Sequence, residues 1–78
     1  MVPQERFVTV TRLVYLPQDS EWLVKAYDQK NIRFHEADYF TDDKEDAEDT
    51  MIAMLNNVKD ADRHVEYDAK KRMAYLTK

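Results

Sequence analysis

The chain contains no glycine in its 78 residues, and this absence constrains its turns more than any other feature of the sequence. The tightest β-hairpins use two-residue loops with glycine at a position of positive φ, usually as Asn-Gly or Asp-Gly. We therefore expect longer hairpin loops, or loops built on type I turns. The same absence excludes glycine-rich phosphate-binding loops, in which the backbone approaches the phosphate closely.

Chain length and residue types predict one small, ordered domain over residues 1–78. A chain of this size buries only about 60% of the surface that its unfolded form exposes, so we expect a thin core. There is no cysteine, which excludes disulfides and thiolate zinc sites and favours a reducing, cytoplasmic setting. The longest apolar run, residues 51–55, is far shorter than the roughly 20 residues that span a bilayer, and residues 1–5 lack a signal-peptide pattern.

Hydrophobic patterning predicts five β-strands, four of them in two hairpins. The expected strands cover residues 5–16, 21–27, 32–40, 63–67 and 72–76. The third strand leaves strict alternation near Glu36, which indicates a bulge or a strand end. Its inward candidates are Ile32 and Phe34, followed by Ala37 and Tyr39.

A single helix is predicted after the third strand. Thr41 or Asp42 is the expected N-cap, with Glu45 at capping-box spacing from Asp42. The apolar stripe that should lie on the sheet comprises Ala47, Met51, Met54, Leu55 and Val58. The predicted order is β-β-β-α-β-β, an α+β fold in which one helix packs on one face of a small antiparallel sheet of four to five strands.

One helix leaves the other sheet face to solvent or to a partner. The candidate aromatic residues for that face are Phe7, Tyr15, Trp22, Tyr27 and Tyr75. These rings either complete a thin core or form a patch for association, in which case a homodimer formed sheet to sheet or edge to edge is the economical arrangement.

Acidic residues are concentrated between residues 36 and 58, where the net charge is −7. This segment holds Glu36, Asp38, Asp42, Asp43, Glu45, Asp46, Glu48 and Asp49 against Lys44 alone. Asp42, Glu45, Asp46 and Asp49 recur at i, i+3, i+4 and i+7, so the predicted helix aligns them on one face.

Two interpretations of this acidic face remain open. It is either a solvated surface whose first turn is acidic because carboxylates favour helix N-termini, or a contact surface for a protein with a basic surface. Our leading hypothesis is a non-enzymatic inhibitor or regulator, in its strongest form one that imitates the phosphate spacing of DNA, that binds through Asp42, Glu45, Asp46 and Asp49. The alternative is a small self-associating accessory domain that uses its aromatic sheet face, with the acidic helix serving only solubility.

Direct nucleic-acid binding and catalysis find little support in the sequence. The net charge is −4, whereas phosphate contact requires clustered cations, and the trio Lys70, Lys71 and Arg72 falls in a predicted turn. Ser20 is the only serine, and nothing places His35 or His64 beside it. We expect no catalytic, cofactor or metal site.

The run of residues 22–27, followed by residues 39–43 at the start of an acidic helix, is similar to the general pattern of many small β-β-α proteins. Some of these are virus-encoded inhibitors that bind a host enzyme through charge. The resemblance is architectural and covers about half of the chain. It implies no family and no site residues.

Overall fold

This computed structural model describes residues 7–56 and 64–77, which form five antiparallel strands and one α-helix joined by loops. The elements are β1 (Val8–Leu16), β2 (Glu21–Asp28), a 3₁₀ turn (His35–Ala37), β3 (Tyr39–Thr41), α1 (Lys44–Asn56), β4 (His64–Asp68) and β5 (Met73–Thr77). The strands form one sheet in the order β3-β2-β1-β5-β4. The predicted α+β class and the order β-β-β-α-β-β are confirmed.

The core lies between α1 and one face of the sheet. Ala47, Met51 and Leu55 recur on one side of α1, and all three are buried against the sheet, as the predicted stripe requires. Their partners are Leu13, Val24 and Ala74, one from each of the three central strands. Met54 packs at the edge of this cluster, and Val58 lies outside the described residues.

One polar side chain is enclosed in this core. Thr11 is fully buried, and its Oγ1 donates to the backbone carbonyl of Met51 at 3.4 Å. A buried hydroxyl costs free energy unless it has a partner, so this bond ties β1 to the middle of α1.

Within the described residues, no helix is long and apolar enough to cross a membrane.

The turns are made without glycine, as the sequence requires. The hairpins β1–β2 and β4–β5 each use four connecting residues, which confirms the expectation of longer loops. Each loop ends with a residue in the left-handed region, Ser20 and Arg72, both at φ 52°. After β2, the buried Asp28 carboxylate accepts the backbone N–H groups of Lys30 and Ile32 at 2.9 Å, which fixes the chain reversal.

The segment predicted as a third strand is interrupted, and part of that prediction was wrong. Only Tyr39–Thr41 forms β3, because the chain makes the 3₁₀ turn His35–Ala37 near the predicted irregularity at Glu36. Ile32 and Tyr39, predicted to point inward, are 54% and 37% exposed. Arg33 and Asp38 flank the excursion and close it through an ion pair in which the single nitrogen Arg33 Nη2 lies 2.7 Å from both Asp38 oxygens.

Candidate functional site

The start of α1 positions the acidic residues. Asp43, and not the predicted Thr41 or Asp42, caps the helix: its Oδ1 accepts the backbone N–H groups of Glu45 at 2.9 Å and Asp46 at 3.4 Å. Thr41 instead orients the cap, since its Oγ1 accepts the Asp43 N–H at 3.2 Å. A carboxylate at the N-cap also interacts favourably with the helix dipole.

Three of the four predicted site residues are exposed on α1 or just before it. Glu45 and Asp49 are exposed one turn apart, and Asp42 is exposed just before the helix. We call Asp42, Glu45 and Asp49 the outer acids. In the part of the chain that the structure describes, no cation lies within 4 Å of their carboxylates, because the single ion pair found there joins Arg33 to Asp38. The outer acids therefore present three unneutralised charges to solvent.

The fourth predicted site residue, Asp46, faces a different direction. It is half-buried, and its Oδ2 accepts the hydroxyl of Tyr39 on β3 at 2.7 Å. The hydrogen bond to this carboxylate raises the pKa of Tyr39 above its ordinary value. The prediction that Asp46 lies among the outer acids therefore needs correction: it borders them, while its side chain attaches α1 to β3.

Glu48 makes the equivalent contact on the opposite side of α1. It is half-buried and accepts a short hydrogen bond from the hydroxyl of Tyr67 on β4. Burial, and then the hydrogen bond to the Glu48 carboxylate, raise the pKa of Tyr67 to about 12. We call Asp46 and Glu48 the inner acids. They hold α1 between β3 and β4, the two edge strands of the sheet.

Lys44, the only cation in the acidic segment, lies beside an aromatic side chain. Its Nζ is 5.6 Å from the centre of the Trp22 ring, and the Arg72 guanidinium approaches the same ring at 5.5 Å. Trp22 also contacts Tyr15, with ring centres 4.8 Å apart. Two cations over one indole are favourable cation–π geometry. Lys44 is therefore directed at Trp22, and within the described residues it forms no ion pair with the outer acids.

The sheet face opposite α1, here called the open face, is a second candidate surface. Its side chains alternate along each strand with the buried core residues. Its apolar members are Val10, Val14, Leu16, Leu23, Tyr27, Phe40, Met73 and Tyr75, of which Leu23 is buried. Of the predicted rings, Tyr27 and Tyr75 lie on it, whereas Tyr15 and Trp22 lie on the α1 side. Phe40, which is 52% exposed, was not predicted there.

The residues considered for catalysis lie apart in the fold. Ser20 lies in the β1–β2 loop, His35 in the 3₁₀ turn and His64 at the start of β4, and all three side chains are exposed. Among the described residues, no group of three His, Cys, Asp or Glu side chains is arranged to hold a metal ion. Lys70 and Lys71 are exposed in the β4–β5 loop, where their backbone N–H groups donate to Asp68 Oδ1.

Comparison of the chain with protein-family models, with curated proteins and with solved structures gives no match. Two surfaces combine exposure with an organised chemical character: the outer acids on α1 and the open face of the sheet.

Proposed function

We propose that this protein is a non-enzymatic binding module, an acidic inhibitor or regulator that engages a basic surface on a partner protein. The contact surface consists of the outer acids Asp42, Glu45 and Asp49. Asp46 borders it, and contributes negative charge while its Oδ2 accepts the Tyr39 hydroxyl. Cationic groups of the partner would supply the counter-charges that the described residues do not place within 4 Å of the outer acids.

The observation that carries this proposal is the spacing of Glu45 and Asp49 without a neighbouring cation among the described residues. Like charges at i and i+4 destabilise a helix by about 0.2 to 0.5 kcal/mol per pair. Within residues 7–56 and 64–77, neither side chain makes a hydrogen bond of the kind that Asp43, Asp46 and Glu48 make. Glu45 lies in the first turn, where the helix dipole offsets the repulsion, so the stability cost falls mainly on Asp49. An exposed charge kept at such a cost is expected where a surface serves binding.

The position of Lys44 supports the same conclusion. A lysine adjacent to Glu45 would ordinarily reduce the negative field at the helix start, yet its ammonium lies over Trp22. The field of the outer acids consequently extends into solvent. Such a field accelerates encounter with a basic partner and weakens as ionic strength rises, since the Debye length is about 10 Å at 0.1 M salt.

The proposal is tested by affinity purification from cells that express the protein, followed by binding measurements with each purified partner. The informative variant is E45K/D49K, which reverses two exposed charges on α1. Its matched control is D19K/E21K, which makes the same change in net charge at the β1–β2 turn. We expect E45K/D49K to weaken low-salt binding by at least about tenfold, with the control close to wild type.

Equal binding by wild type and E45K/D49K at low salt, for every partner recovered, would refute the proposal. In that case the acidic face would serve solubility alone. Equal weakening by the two double variants would also refute it, because the effect would then follow net charge and not the outer acids.

A further inference from the structure

The charges of the open face are separated across the sheet. Arg12 on β1 and Lys25 on β2 are direct cross-strand partners, and both side chains project from this face. Glu66 and Asp68 lie on the same face of β4, at the sheet edge. The open face is thus basic where Arg12 and Lys25 meet and acidic over β4, while Glu21, two rows from Lys25, lies at the start of β2 on the same face.

The basic pair is unfavourable within one chain. Like charges directly opposite each other in an antiparallel pair destabilise the sheet. In the described part of the chain, neither Arg12 nor Lys25 lies within 4 Å of a carboxylate. Lys25 is half-buried, which increases the benefit of an external anionic partner.

An apolar strip separates the two charged regions. Met73 and Tyr75 on β5 are half-buried between β1 and β4, and Val10 continues the strip onto β1. The register places Lys25, Arg12, Met73 and Asp68 in one row across four strands. Tyr27, Val10, Tyr75 and Glu66 form the next row.

This arrangement is complementary to itself. Consider a two-fold axis that runs parallel to the strands, above the open face and over the gap between β1 and β5. Rotation about this axis places each row of the second copy over the same row of the first, with the strand order reversed. Lys25 then lies over Asp68 of a second copy, Arg12 over Met73, and Val10 over Tyr75. The rotation also places Glu66 of the second copy diagonally from Lys25. Each ionic contact occurs twice, as in any isologous interface.

We propose that the open face binds a second copy of this chain, giving a two-fold dimer in which the two sheets stack face to face. The basic side of each copy meets the acidic β4 of the other, over a shared apolar strip. Stacked sheets of this kind pack about 10 Å apart with their strands nearly aligned. The outer acids lie on the opposite side of each domain, so the dimer presents two copies of that surface.

A single-stranded nucleic acid is the main alternative occupant, since aromatic rings beside cations suit stacked bases and phosphates. The open face fits it less well. Glu66 and Asp68 would repel phosphates, and the protein carries a net charge of −4. A second copy uses both the basic and the acidic side of the face.

The test is sedimentation equilibrium at low salt, from micromolar to millimolar concentration, on wild type, K25E, E66K and K25E/E66K. Intramolecular pairing cannot produce a rescue, because β2 and β4 are separated by three interstrand steps of about 4.8 Å each. We choose Glu66 and not Asp68, since Asp68 also caps the β4–β5 loop. Controls with the same charge changes outside the face are K30E and E45K.

Wild type should dimerise, with added salt weakening the dimer. K25E should raise the dimer Kd at least about tenfold, equivalent to about 1.4 kcal/mol, and E66K should raise it less. K25E/E66K should bind more tightly than K25E and recover part of the loss, because the charges at positions 25 and 66 are again opposite across the interface, while the direct contact of position 25 with Asp68 stays repulsive. Both controls should behave like wild type. If circular dichroism shows that K25E is unfolded, the exposed R12E variant replaces it and should weaken the dimer in the same way.

Three results would overturn this inference. A wild-type chain that stays monomeric at millimolar concentration excludes the dimer. A dimer that tolerates K25E and R12E uses another surface. A monomeric chain that binds a single-stranded oligonucleotide through Arg12 and Lys25 has a different occupant. None of these results bears on the outer acids, so this inference and the proposed function succeed or fail separately.

Discussion

The inner and outer acids of α1 have the same chemistry and opposite environments. Asp46 and Glu48 each accept a tyrosine hydroxyl from an edge strand of the sheet. Glu45 directly precedes Asp46 and Asp49 directly follows Glu48, yet both lie exposed with no described cation within 4 Å. A shift of one position along the helix, about 100°, therefore separates carboxylates that hold the helix in place from carboxylates that face solvent.

This difference shows that a net charge is a poor guide to the function of the segment that carries it. Residues 36–58 carry a net charge of −7, yet several of their carboxylates are used inside the fold. Asp38 pairs with Arg33, Asp43 caps α1, and the inner acids bind tyrosines. The carboxylates left for the proposed partner are therefore fewer than the net charge of the segment indicates.

The largest effect should come from the inner contact on the β4 side. Tyr67→Phe removes the donor to Glu48 and should lower the free energy of unfolding by about 1 to 2 kcal/mol, because a half-buried carboxylate loses its partner. Urea unfolding followed by circular dichroism measures this change. Glu48→Gln keeps an acceptor and should cost less. An unchanged midpoint in Tyr67→Phe would place Glu48 with the outer acids.

The same contact predicts a dependence on alkaline pH. In the folded state the pKa of Tyr67 is raised from 10.0 to about 12. The stabilisation is fully present below pH 10 and is lost as pH rises from 10 to about 12. The wild-type advantage over Tyr67→Phe should therefore shrink across this interval. A constant difference between the two proteins would contradict the raised pKa of Tyr67, which burial and the hydrogen bond to Glu48 produce together.

A smaller effect separates Asp43 from its neighbour Asp42. Asp43→Ala should lower the free energy of unfolding by about 1 kcal/mol, the usual contribution of an N-cap side chain. Asp42→Ala changes an outer acid and should lower the free energy of unfolding by at most a few tenths of a kcal/mol. Thermal unfolding of the two variants at neutral pH compares them directly. Equal losses would indicate that Asp42, one of the two N-caps predicted from the sequence, also caps the helix.

The inner contact on the β3 side should contribute less than the one on the β4 side. Tyr39 is more than one-third exposed, so water readily replaces its bond to Asp46. Tyr39→Phe should therefore shift the urea midpoint by much less than Tyr67→Phe does. The two variants are compared in the same unfolding assay. A loss as large as that of Tyr67→Phe would show that exposure does not separate the two contacts.

The smallest predicted change is a gain. Asp49→Lys replaces a like-charged pair with an attractive one, in which Glu45 and the introduced lysine lie at i and i+4. This exchange should stabilise the protein by about 0.3 to 0.5 kcal/mol at low salt, measured by urea unfolding. Added salt should remove most of the gain. A destabilised Asp49→Lys protein would mean that Asp49 makes a favourable contact within the fold.

The fold could be predicted because its determinants are local in sequence. Alternation identified the hairpins, and the spacing of Ala47, Met51 and Leu55 identified the side of α1 that packs on the sheet. The third strand was predicted too long, since alternation does not reveal that Arg33 and Asp38 close an excursion between them.

The division of the acids could not be predicted, because it depends on contacts distant in sequence. Glu48 accepts a hydrogen bond from Tyr67, 19 positions away in sequence. The register of β4 with β5 decides whether Tyr67 projects from the sheet face that α1 covers. The helix start was predicted one or two residues early, which placed Asp42 in the role of Asp43. One signal was present: Glu48 lies one position after the buried Ala47, so it falls at the boundary of the apolar stripe.

The most direct test of the account is one comparison of binding and stability in two variants. E45K/D49K should unfold within about 0.5 kcal/mol of wild type and lose its basic partner at low salt. Tyr67→Phe should be less stable and, under conditions in which it is folded, bind that partner as wild type does. The reverse pattern, with binding retained in E45K/D49K and lost in folded Tyr67→Phe, would contradict the assignment of the outer acids to binding and of the inner acids to the fold.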